Sequence, residues 1–166
     1  MAERISPEHS AASYISPRPT RESRRDAINA CRGCDLYRRA TQVVPGEGPA
    51  RPRLMLVGKR RIHDKPNARE VEACRPWFQT ELDLVKPEVV VALGATAAQA
   101  ILGPAFRISR ERGRFVTSPL DAKVLATAHP SAVLRMPDER ARREAMAQLI
   151  ADLRVVARAL KTKASA

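Results

Sequence analysis

Cys31 and Cys34 form a Cys-x-x-Cys pair, and Cys74 is the chain's remaining thiol. In a compartment that keeps thiols reduced, this is the spacing of thiolates gathered on a metal ion or an iron–sulfur cluster. A redox pair with a separate buried helix cysteine has the same spacing. With three cysteines in all, a four-ligand site needs a histidine, a water or another group as its last donor. A second stretch, "KRRIH", sets Lys59, Arg60 and Arg61 beside His63. Such cations can grip DNA phosphates, which positions a protein without reading sequence, and would bring His63 close to a sugar. A solvated charge run with an idle histidine has the same composition. A third, "HPSAVLR", places His129 at a strand end, Pro130 in the turn and Ser131 where a hydroxyl can cap. Leu134 and Arg135 would project, and an apolar wedge with a cation can unstack a base and hold the distorted backbone. The plainer alternative is a turn whose histidine is satisfied by its neighbours. "GATAAQAIL" offers free N–H groups at a helix start to an anion, or simply packs a helix close to a strand.

These groups need a scaffold, and hydrophobic periodicity outlines one. "RLMLVG", "PEVVVALG" and "AKVLATAHP" are short apolar runs of the kind that form buried strands. Between them, "NAREVEACRPWFQTELDLVK" repeats Val71, Cys74, Phe78, Leu82 and Val85 at helical steps, with Pro76 expected to kink or restart the helix. "ATAAQAILG" reads as a short helix closed by Gly103, and "AFRISRERGRFV" as a small hairpin around Gly113. "DERARREAMAQLIADLRVVARAL" is a long amphipathic helix with Met146, Leu149, Ile150, Leu153, Val156 and Leu160 on one face. "RRDAINACRGCDLYRRA" is helical in composition but broken by Gly33. Alternating strands and helices predict an α/β fold with a mainly parallel sheet, and ligands then sit beyond the carboxyl ends of the strands. The loops "GKRRIH", "GATAAQ" and "HPSAVLR" would share that rim. Residues 1–24 read as a flexible arm, 25–160 as one domain and 161–166 as a tail.

Composition narrows the partners. The chain has 166 residues, 44% hydrophobic, with a net charge of +12 and an isoelectric point of about 10.7. That balance favours a polyanion, nucleic acid above all. No apolar run approaches a membrane span of about 18 residues, and no apolar signal segment begins the chain. The expected setting is cytoplasmic, with no membrane partner.

Together the stretches "ACRGCDLYRRATQVVPGEG", "GKRRIHDKPNAREVEACRPWF", "PEVVVALGATAAQAILG", "RGRFV" and "ATAHPSAVLR" resemble the uracil-DNA glycosylase superfamily. The similarity is to its iron–sulfur family 4 and, through "KRRIH" followed by "KPNAREVEAC", to the UdgX type. The resemblance implies a three-layer α/β/α sandwich and a [4Fe–4S] cluster, with Cys31, Cys34 and Cys74 matching three of its ligands. It implies that His63 attacks the sugar C1′ and joins the protein covalently to DNA, and that His129 contacts uracil. It implies that Lys59, Arg60, Arg61, Ser131, Leu134 and Arg135 meet DNA. The partner would be uracil-containing, single-stranded DNA, bound by a monomer for base excision repair.

The chain departs from that pattern at one place. A "GEQPG"-like signature should begin at the strand end after "LMLV", and only Gly58 stands there. The stacking aromatic, a further helix, a strand ending in an asparagine and the fourth cluster ligand are also missing. The expectation is an internal deletion between Gly58 and Lys59 that removes one strand and one helix. A catalytically impaired iron–sulfur DNA-binding protein, or a deletion remnant, is the alternative to an active glycosylase.

Overall fold

The computed structural model describes residues 10–38, 45–58 and 67–162. They fall into two compact units, Met1–Ala50 with Ile62–Val85, and Arg51–Arg61 with Lys86–Ala166.

The second unit is built on a four-stranded sheet in the order β1-β2-β4-β3. Its strands are β1 (Leu54–Gly58), β2 (Val89–Leu93), β3 (Phe115–Val116) and β4 (Lys123–Thr127). β1, β2 and β4 run parallel, and β3 pairs antiparallel with β4. The expected mainly parallel α/β fold is therefore present. β2 and β4 are valine-rich because both of their faces are covered: Val90, Val91, Ala92, Val124, Leu125 and Ala126 have no exposed surface. Val89, Val91 and Leu125 form the core on one face with Val156, which comes from the long helix α6 (Glu139–Thr162). The helix α3 (Ala95–Leu102) packs on β2 and β1 with Ala97, Ala98 and Ile101 buried, so the small residues of "GATAAQAIL" serve close packing.

Several sequence expectations change here. β1 is an edge strand, with no partner on its outer side among the described residues, so "LMLV" is only half buried and Leu56 is 57% exposed. "AFRISRERGRFV" is not a hairpin: it forms the helical turn α4 (Ile108–Glu111) and then β3, whose partner is β4. The apolar stripe of α6 is wider than the sheet can cover. Leu149 and Val156 are buried, while Met146, Ile150 and Leu153 are exposed.

The first unit holds α1 (Arg21–Ala30) and α2 (Ala68–Val85). α1 starts with a capping box in which Thr20 and Ser23 satisfy each other's backbone N–H groups. α2 starts the same way, Asn67 Oδ1 accepting from the Glu70 N–H at 2.9 Å and Glu70 Oε2 from the Asn67 N–H at 2.8 Å. α2 then runs unbroken through Pro76, so of the expected kink or restart the restart does not occur. Its buried residues include Ala73, Trp77, Thr80, Leu82 and Val85, while Val71, Cys74 and Phe78 are only half buried. The reading of residues 1–24 as an arm fails from Ser10 onward. Ala11–Tyr14 is a 3₁₀ turn, and Ala11 packs with Ile28 and Trp77 in a small core.

Candidate functional site: the strand-end rim and the thiol group

The parallel register aligns three strand ends, Gly58 opposite Leu93 and Leu93 opposite Thr127. The Gly94 N–H donates to the Thr127 carbonyl at 2.8 Å, tying β2 to β4 at this rim. His129 leaves β4 here and lies across the other two ends. A Cβ on Gly94 would stand 3.1 Å from His129 Cβ, and one on Gly58 would stand 3.4 Å from its Nε2. Gly94 also has φ of 86°, which favours glycine for its own reason.

The imidazole is held by its own neighbours. Nδ1 accepts from the Ser131 N–H at 3.1 Å and lies 2.8 Å from Ser131 Oγ. Arg135 Nη1 donates to that oxygen at 3.3 Å, which leaves the hydroxyl proton for Nδ1. With Nδ1 accepting, the proton of a neutral ring sits on Nε2. The rim therefore presents an N–H donor beside the end of β1, suited to an oxygen that gains negative charge during a reaction.

Two expectations change at "HPSAVLR". The stretch is the helical turn α5 (Pro130–Leu134) rather than an open loop. Its cap is His129 through Nδ1, and the Ser131 side chain serves the imidazole instead. Leu134 is 70% exposed. Lys59, Arg60, Arg61 and His63 lie outside the described residues; Gly58, which leads into them, stands against the His129 ring.

A buried polar group behind the rim was missed in the sequence. Asp152 of α6 accepts from Thr127 Oγ1 at 2.5 Å and pairs with Arg112 at 2.7 Å. Arg112 also donates to Gln148 Oε1 at 2.6 Å. Gly113 passes so close that a Cβ would strike Asp152 Oδ1, and its φ of 77° suits glycine again. The signal was available: Asp152 is a carboxylate in the buried stripe between Leu149 and Val156.

In the first unit the thiols gather. Cys34 and Cys74 Sγ are 3.7 Å apart, and Cys31 Sγ accepts from Trp77 Nε1 at 3.4 Å and from the Gly33 N–H at 3.5 Å. All three are free thiols. Burial, and then the neighbouring Cys34, push the Cys74 thiol up to about 12. N–H donors to sulfur suit a metal or cluster thiolate, so the donor chemistry is the right kind. The arrangement falls short of a closed site. Among the described residues no three Cys, His, Asp or Glu side chains are grouped so as to hold a metal ion. A [4Fe–4S] cluster takes four thiolates, and this chain has three cysteines.

With this geometry in hand, similarity to known proteins decides the lineage. Type-4 uracil-DNA glycosylase of Archaeoglobus fulgidus is 26% identical over 177 aligned positions, covering 76% of this chain and 89% of the relative. That of Thermotoga maritima is 25% identical over 163 positions, covering 71% and 85%. A Type-5 uracil-DNA glycosylase of Pyrobaculum aerophilum is 37% identical over 70 residues, covering 41% and 30%. The first alignment spreads about 126 residues (76% of 166) over 177 positions, so about 51 positions have no counterpart here. The second spreads about 118 (71% of 166) over 163, leaving about 45. The family model for the uracil DNA glycosylase superfamily matches residues 40–154, which span β1 to α6 and the whole rim; the chain belongs to that superfamily.

Proposed function

We propose that this chain binds uracil-containing single-stranded DNA and cleaves the uracil N-glycosidic bond, as a cytoplasmic monomer of the UdgX type. The observation that carries the reading is the single N–H donor of His129, locked at a rim where three parallel strands end. Uracil departs as an anion, the electron pair of the C1′–N bond leaving with the base. The His129 Nε2–H donates to a uracil oxygen and stabilises that charge, a contact of a kind worth about 100- to 1000-fold in rate. A lone pair on a His63 ring nitrogen closes on C1′, giving a covalent adduct that persists where no water is placed to attack it. Lys59, Arg60, Arg61 and Arg135 hold phosphates, and Leu134 enters the stack where uracil was. Cys31, Cys34 and Cys74 are the residues that would hold a cluster, one ligand short; its part would be structural, and no step passes through it.

We also propose that the unmatched positions of the relatives belong between Gly58 and Lys59. The half-exposed edge strand β1, with Leu56 open to solvent, supports that placement. The same observation favours a second reading, a DNA-binding protein without turnover.

A denaturing gel with stoichiometric single-stranded uracil DNA tests both. A heat-stable shift that His63→Ala abolishes supports capture. Base release without a shift supports hydrolysis alone. Neither, with binding that weakens steeply in salt, leaves the binding reading.

A further inference from the structure

The first turns of α1 carry Arg21, Arg24 and Arg25, and with Glu22 and residues 45–48 they wall a cleft of about 410 Å³. Arg24 is only 6% exposed. It pairs with Glu81 through Nη2, but its Nε is buried with no acceptor. Gly46 lets the facing segment close on this pair, since a Cβ there would stand 2.7 Å from Glu81 Oε1. Arg21 donates to the carbonyls of Pro49 at 2.9 Å and Gly48 at 3.3 Å, so it braces the cleft without meeting a carboxylate. Arg25 is exposed and has no acidic partner among the described residues. The helix N-terminus adds its own positive field. Glu22 and Glu47 also line the cleft, so its three arginines are partly offset by carboxylates.

We propose that this cleft binds a phosphodiester of a DNA strand, a contact separate in sequence from the rim loops. A phosphate matches the guanidinium fork in shape and charge, and the net charge of +12 makes a polyanion the fitting source. The inference rests on the DNA-binding part of the reading above and not on uracil excision.

The test therefore uses a short single-stranded DNA without uracil, titrated by fluorescence anisotropy from about 50 to 200 mM salt. Arg25→Gln should lower the slope of log K against log salt by about 0.7, and Arg21→Gln with Arg25→Gln by about 1.4. Arg143→Gln, which removes a cation of α6 already near Glu139, should lower it by less than half as much as Arg25→Gln. An equal fall for Arg143→Gln would mean bulk charge only and would overturn the proposal. So would an unchanged slope for Arg25→Gln in a protein of unchanged melting temperature. Displacement of DNA by stoichiometric inorganic pyrophosphate would assign the cleft to free polyphosphate instead, which also overturns it.

Discussion

His129 takes its Nδ1 partners from Ser131 and, through it, from Arg135, all within one turn-forming stretch, whereas Cys34 reaches Cys74 across forty residues. The histidine site is local, and a short motif carries it whole. What its surroundings add is a platform, the aligned ends of β1, β2 and β4. The thiol group has no such independence. It exists only where α2 meets the segment after α1, and it rests on a small core of Ala11, Ile28 and Trp77. Loop closure must be paid there before any sulfur meets another. A site of the first kind should tolerate loss of a contact, and a site of the second kind should fall with its core.

The sharpest way to break this contrast is Trp77→Ala. It empties the small core and removes the N–H donor to Cys31, and should cost about 3–5 kcal/mol in a denaturant titration. Retained stability would show that the thiols are held by something other than that core. Next comes Asp152→Ala, which leaves Arg112 and Thr127 without their shared partner behind the rim. A loss of about 3 kcal/mol is expected, and an effect near zero would make the rim independent of α6. Gly94→Ala should be smaller in stability, about 1–3 kcal/mol from backbone strain, but it pushes on His129 directly. The proposed uracil excision should then fall by more than the loss of folded protein accounts for, and a fall no larger than that would deny that the ring's position matters. The last test is a pH trend in metal-free protein. The Cys74 thiol is raised from 9.0 to about 12 in the folded state, so the folded chain keeps that proton longer than the unfolded one. Its stabilising contribution is whole below about 9 and is lost as pH rises toward about 12. Unfolding free energy of the native sequence should therefore decline over that window relative to Cys74→Ala, and parallel curves would refute the burial.

The inner strands were legible because burial on both faces permits little besides Val, Leu and Ala, as in "VVVAL" and "KVLAT". The rim followed from their parallel order. Other features were not legible, each for a tertiary reason. "LMLV" has the composition of an inner strand, but whether a strand is inner depends on a neighbour that its own residues do not name. The helical step in α2 picked Val71, Cys74 and Phe78, yet Trp77 and Ala73 take the buried positions, because the packing partner chooses the face. Ser131 looked like a cap by type, but the N-cap is His129, whose Nδ1 accepts from the Ser131 N–H. Asp152 was readable as an anomaly in an apolar stripe, while its partners Thr127 and Arg112 come from other elements.

The residues alone determined a basic α/β chain, its two buried strands, the stretches "KRRIH" and "HPSAVLR" on which the superfamily resemblance was read, and a thiol inventory one short of a four-cysteine site. These depend on composition, period and short-range spacing, which a linear chain displays. Tertiary structure decided that, among the described residues, β1 is an edge and α6 leaves part of its apolar stripe uncovered, that Cys34 meets Cys74, and that His129 points its Nε2 across the end of β1. Each of these turns on whether segments distant in the chain meet, and the free energy of such a meeting belongs to the contact rather than to either partner.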